Sequence, residues 1–128
     1  MAGEGPGMRI LVVDDNPDVA SVIAELLTIE GFEDVRIAYD GASALALMRA
    51  APPDFILCDL GLPGAIDGHE LARISRREPA LRNVRLVAIS GYAGHEDRET
   101  AIAAGFEDLL AKPVRIDALT ACIRRGGG

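Results

Sequence analysis

The chain has no tryptophan, and aromatic residues make up only 4% of it. Any core must therefore be filled by aliphatic side chains, and with 49% apolar residues over 128 positions there are enough for one packed domain rather than disorder. Cysteine is nearly absent. Cys58 and Cys122 form no CxxC or other zinc spacing, and both lie in apolar surroundings, so they read as buried or half-buried thiols. A basic surplus is also missing. The net charge of −7 argues against direct nucleic-acid binding by this chain, because nothing is left over to displace counterions from phosphates. The pairs Arg76-Arg77 and Arg124-Arg125 read as charges at helix C-termini. No run approaches the roughly 18 apolar residues of a membrane span. Residues 1–7 are neither basic nor apolar, so they are expected to be a flexible leader and not a signal peptide. Residues 126–128, all glycine, read as a flexible tail, leaving 8–125 as one domain in a reducing, cytoplasmic setting. There is no internal repeat, no Walker loop and no GxGxxG.

What is present is a regular alternation of element types. Arg9–Val13 is a short apolar run that ends at acidic turn residues, the pattern of a buried strand. Pro17 suits the first turn of a helix carrying Val19, Val22, Ile23, Leu26 and Leu27 and stopping at Gly31. A strand at Asp34–Ala38 follows, then a helix capped by Asp40 and ended by Pro52-Pro53. The third strand, Asp54–Asp59, is apolar on both faces. A Gly- and Pro-containing loop leads to a helix at His69–Arg77. Val84–Ile89 is a fourth strand, Asp97–Ala104 a helix, Phe106–Ala111 a weaker fifth strand, and Asp117 is placed to cap a last helix. Five successive βα units predict a parallel sheet covered on both faces, a doubly wound three-layer α/β sandwich.

In such sheets ligands bind beyond the C-terminal ends of the strands. Asp14-Asp15, Asp59, Ser90 and Lys112 all lie at strand ends, so the fold would gather them at one edge. Three carboxylates converging on one mouth repel one another unless a cation sits among them. Few protein oxygens with room for water and phosphate suit Mg²⁺. A lysine and a hydroxyl beside it could hold phosphate oxygens, and an Asp carboxylate can itself be a nucleophile that forms an aspartyl phosphate. His69 and His95 have no metal-like spacing and read as surface histidines. Asp14, Asn16, Asp18 and Glu25 mimic a calcium-loop register, but its sixth position needs Gly and holds Val19. A phosphatase of the other aspartyl-phosphate class would need Asp-x-Asp, which Asp14-Asp15-Asn16 does not supply.

The set Asp14-Asp15, Asp59, Ser90 and Lys112-Pro113 resembles the receiver domain of two-component response regulators, as do Leu62-Pro63, Asp67-Gly68 and Ala104-Gly105. The resemblance runs from about Met8 to Ile123. The stretch Ser90-Gly91-Tyr92, with Glu96-Asp97-Arg98 downstream, is similar to receivers attached to hybrid histidine kinases. The resemblance implies a (βα)5 flavodoxin-like fold with strand order 2-1-3-4-5. It implies Asp59 as phosphoacceptor, taking the group from a histidine kinase or histidine phosphotransfer protein. Mg²⁺ (or Mn²⁺) would be held by Asp15, Asp59 and the backbone carbonyl of Gly61, with Asp14 acting through metal-bound water. Ser90 would hydrogen-bond a phosphoryl oxygen, and Lys112 would pair with Asp59 and then with the phosphoryl group. Small Gly91 would leave access to Asp59. The chain would catalyse its own phosphorylation and dephosphorylation without being a stand-alone metabolic enzyme. It could self-associate through the face built from the fourth helix, fifth strand and fifth helix. An interaction module with this fold that takes up no phosphate is the alternative.

Two features depart from the family pattern. One extra residue separates Asp59 from Asp67-Gly68, so Gly64-Ala65-Ile66 is expected to form a looser loop. Leu109 stands at the switch position where many receivers have Tyr or Phe. A stand-alone regulator, a relay intermediate and a receiver cut from a larger kinase all remain open from the sequence.

Overall fold

The computed structural model describes residues 8–127. The expected leader, residues 1–7, and residue 128 lie outside the described residues. The elements alternate strictly: β1 (Arg9–Val13), α1 (Pro17–Ile29), β2 (Asp34–Ala38), α2 (Gly41–Ala50), β3 (Phe55–Asp59), α3 (Gly68–Arg77), β4 (Arg85–Ser90), α4 (His95–Ala104), β5 (Asp108–Ala111) and α5 (Ile116–Gly127). All strand pairs are parallel, in the order β2-β1-β3-β4-β5. This is the doubly wound sandwich that the alternation predicts.

Strand composition follows position in the sheet. β3 is central, and all five of its residues are buried. β2 is an edge strand that buries only Ala38 fully. Alternate residues of β1 and β3 serve opposite faces. Leu11, Val13, Ile56 and Cys58 join a cluster with α2, α3 and α4 residues, including Met48, Leu71 and Ala101. Ile10, Val12, Phe55 and Leu57 join one with Phe32 and with α1 and α5 residues, including Leu27 and Leu119.

Caps place the helix starts. Asn16 Oδ1 accepts from the Asp18 and Val19 amides, with Pro17 in the first turn of α1. Asp40 Oδ1 accepts from Ser43 N–H at 2.7 Å, and Asp67 Oδ1 from Glu70 N–H at 2.9 Å. Four expectations shift, beside one-residue slips at the starts of β3, α3 and β4. α4 begins at His95, before the expected Asp97, because its first turns are polar and carry no apolar period. β5 begins at Asp108, not Phe106. Asp117 is not the cap of α5 but sits in its first turn, where it accepts from Arg115 and the Ala118 amide. α5 also runs into the expected tail, as far as Gly127.

Candidate functional site

The strand ends are locked together one residue past the ladders. Asp14 N–H donates to Ala38 O at 3.1 Å, Leu60 N–H to Ile89 O at 3.0 Å, and Lys112 N–H to Ser90 O at 2.9 Å. These bonds bring Asp14-Asp15, Asp59, Ser90 and Lys112 to one edge of the sheet. One oxygen from each of Asp14, Asp15 and Asp59 lies within 4.8 Å of the others.

Asp59 is buried and held at both oxygens. Gly61 N–H donates to Oδ1 at 3.0 Å, and Lys112 Nζ to Oδ2 at 3.0 Å. Asp14 has no exposed surface. Its Oδ1 accepts from Asn16 N–H at 2.9 Å, but its Oδ2 is enclosed without a hydrogen-bond partner, 3.9 Å from Lys112 Nζ. Asp15 is exposed. Burial pushes the Asp14 carboxyl above the ordinary aspartate range, and the Asp59 and Asp15 charges add to this against the opposing Asn16 amide and Lys112. Burial pulls the Lys112 ammonium down, but its hydrogen bond to Asp59 and the charges of Asp59, Asp14 and Asp15 together carry it above the ordinary lysine value.

One ammonium thus faces three carboxylates, and a buried carboxylate oxygen has no donor. Both facts fit a divalent cation with hard oxygen ligands. Ser90 Oγ accepts from Tyr92 N–H at 3.0 Å. The Cys58 thiol, in β3 next to Asp59, is pushed far up by burial and so stays an unreactive core group.

The sequence profile of the response regulator receiver domain matches residues 10–124. The chain belongs to the response regulator receiver domain family. It is 37% identical over 107 residues to a 14.6 kDa protein from the sodA1 3′ region of Leptolyngbya boryana, covering 84% of this chain and 80% of that one. It is 38% identical over 117 residues to the nitrogen assimilation regulatory protein NtrX of Azorhizobium caulinodans, covering 91% of this chain. The receiver spans only 25% of that relative's length. A solved structure of a response regulator from Chloroflexus aurantiacus superimposes with a TM-score of 0.86 at 30% identity, covering 92% of this chain and 95% of that one. Receivers of this family partner with histidine kinases or phosphotransfer proteins and typically use a divalent metal. Among the described residues no helix is long and apolar enough to cross a membrane.

Several surroundings differ from expectation. The loop after Asp59 is not uniformly loose. Gly64, at φ +90°, and Ala65 are exposed, but Ile66 is half-buried against the core. His69 is not a surface histidine, since its Nε2 is enclosed without a partner; His95 is exposed and faces Glu99. Arg76 is more than a helix-end charge. Its guanidinium donates to the carbonyls of Gly105, Arg82 and Val84, tying α3 to the end of α4. A side chain at Gly91 would meet nothing within 4 Å, so packing does not demand glycine there. The Arg76 bridge could not be read from sequence, because its partners are backbone carbonyls, which leave no residue signature.

Proposed function

We propose that the chain is a phosphoacceptor receiver that takes a phosphoryl group onto Asp59 from a histidine kinase or histidine phosphotransfer protein. The observation that carries this reading is the acceptor carboxylate, gripped by Gly61 N–H and Lys112 beside two further carboxylates. An Asp59 oxygen attacks the phosphorus of a phosphohistidine. The P–N bond breaks, the imidazole leaves with the bonding pair, and an acyl phosphate forms. Water attack on that phosphorus later releases phosphate and restores Asp59. Mg²⁺ or Mn²⁺, held by Asp15, Asp59 and the Gly61 carbonyl with Asp14 acting through water, would neutralise charge on the transferring group. Lys112 turns from Asp59 to a phosphoryl oxygen, and Ser90 donates its hydroxyl to another.

An apolar cleft of about 450 Å³ lies beside Lys112, between α1 and the β5–α5 connection, and is lined by Val19, Val22, Leu26, Pro113 and Val114. It gives the donor protein a seat next to the acceptor. The acidic net charge supports a receiver segment that does not itself bind nucleic acid, working in the cytoplasm. Leu109 is buried among Ala101, Ala104 and Phe106 and its side chain has no hydrogen-bonding atom, so the switch there works through packing, and output leaves by the α4–β5–α5 face, where copies could associate.

Intact mass after treatment with acetyl phosphate and Mg²⁺ tests the reading. One base- and hydroxylamine-labile phosphoryl group is expected on the wild-type chain and none on Asp59→Asn, whose amide is a poor nucleophile. Undiminished labelling of the variant would overturn Asp59 as acceptor.

A further inference from the structure

The connection from β3 to α3 carries Gly61, and its two contact points are backbone-tight. At its α3 end, a Cβ added to Gly68 would lie 2.8 Å from the Asp59 carbonyl oxygen and 2.8 Å from Leu60 Cα. Across the loop, a Cβ on Gly41, the first residue of α2, would lie 2.1 Å from the Ile66 carbonyl oxygen and 2.7 Å from Ile66 Cγ2. Real Cβ contacts essentially never fall under 3.0 Å. Neither glycine has a left-handed φ, so the requirement is for space and not for conformational freedom. The obstructing atom at Gly41 is a backbone carbonyl, which cannot swing aside as the end of a side chain can. Gly64, in mid-loop, meets nothing within 4 Å. The loop is therefore open in its middle and seated at Ile66 and Gly68.

We propose that Gly41 is a positioning residue for the acceptor site. It admits the Ile66 carbonyl to the first turn of α2 and thereby fixes the path of residues 61–66. That path sets where the Gly61 backbone stands relative to Asp59. The inference rests on the phosphoacceptor reading above for its functional meaning. α2 contributes no residue to the site, yet it decides where one of the site's backbone groups lies. Alanine at 41 must drive the Ile66 carbonyl outward by about 0.9 Å to reach even the shortest tolerated contact. Misplacement on the order of 1 Å can cost a hundredfold in a reaction that depends on positioning.

The test compares wild type, Gly41→Ala and Leu81→Ala in the whole chain. Leu81 is fully buried, in the segment leading into β4 and far from the strand ends that carry the site, so its truncation destabilises the core without touching the loop. Mg²⁺ affinity is read by titration followed by NMR, and phosphorylation by the rate with acetyl phosphate. Gly41→Ala should weaken Mg²⁺ binding about tenfold and slow phosphorylation by about ten- to a hundredfold, whereas Leu81→Ala should leave Mg²⁺ affinity within about twofold of wild type. In metal-free protein the Gly61 amide resonance, which reports the bond to Asp59 Oδ1, should shift in Gly41→Ala and not in Leu81→Ala. Equal Mg²⁺ affinity in all three chains, or an unmoved Gly61 amide, would overturn the proposal.

Should Gly41→Ala not fold, Ile66→Gly removes the Ile66 side chain that closes on Gly41 beside the carbonyl, loosening the same seat from the loop side without adding an atom. A Mg²⁺ affinity unchanged in that variant would also overturn the proposal. A wild-type chain that took up neither Mg²⁺ nor phosphate would instead overturn the reading of the site, and the metal-free Gly61 amide would still decide whether Gly41 positions the loop.

Discussion

α3 and α4 are both ten residues long, lie on the same face of the sheet, and each follows a strand that ends in a site residue. They are held very differently. α3 buries Gly68, Leu71, Ala72 and Ser75 along its length, with Gly68 against the backbone of Asp59 and Leu60. α4 buries only Ala101 and Ala104, in its last turn, and every residue from Gly91 to Thr100 is exposed. The free half of α4 is tethered by Arg98, which pairs with Asp108 and reaches Leu109 O. Its far end is fixed by Gly105 and the Arg76 guanidinium. Helix length and sheet face are shared, so burial separates a fixed wall behind Asp59 from an arm beside Ser90 that can move at little cost.

The largest effect should come from emptying the fixed wall. Leu71→Ala removes a fully buried side chain and should cost about 2–5 kcal/mol. Ile102→Ala, half-exposed on α4, should stay within about 0.5 kcal/mol of wild type. Urea denaturation of both variants checks the contrast, and similar losses would erase it.

Cutting the joint between the two helices should come next. Arg76→Ala strips donors from three carbonyls and should cost roughly 1.5–3 kcal/mol. It should also raise amide exchange in α4 more than in α3. Equal exchange in both helices would mean that Arg76 is no joint.

The smallest effect concerns charge at the Asp59 edge of the sheet. Burial raises the folded-state pKa of Asp14, so between the ordinary value of 3.8 and that raised value the folded chain binds more protons than the unfolded one. Stability from this group therefore falls as pH rises through that window and stays lower at neutral pH. Asp14→Asn should remove the trend and stabilise the metal-free chain at neutral pH by roughly 0.5–1 kcal/mol. Mg²⁺ should then stabilise wild type more than the variant. Lys112 has the same sign in a different window: its contribution is present at neutral pH and is lost as pH rises from the ordinary value of 10.5 through its own raised value. Urea titrations in EDTA across the acid range read both the slope and its loss.

The sheet and the strand-end residues were legible because they rest on local signals: short apolar runs, Asn and Asp caps, and polar residues where the runs stop. β1 and β2 match the sequence ranges to the residue, since both are bounded by turn residues. α4 started earlier than expected because His95–Thr100 has no buried face to impose a period. The Ile66–Gly41 seat, the Arg76 bridge and the enclosed His69 nitrogen were invisible for a different reason. The first two join segments distant in sequence, the third is an enclosure made only by the packed fold, and none leaves a motif. The carboxylate cluster is also long-range, but its members carry charge at predictable places, so topology alone could assemble them.

Lys112 is the only lysine in the sequence; the other cationic side chains of the Lys and Arg class are all arginine. The ammonium that grips Asp59 is therefore the single side-chain address for any chemistry directed at primary amines. Acylation there would replace the charge facing Asp59 with a neutral amide, and a bulky conjugate would stand at the edge where the three carboxylates meet. In most proteins such modification is spread over a scattered population of surface lysines and averaged away. Here each molecule modified at its lysine would lose the same contact, and the fraction so modified would equal the fraction without the ion pair to Asp59.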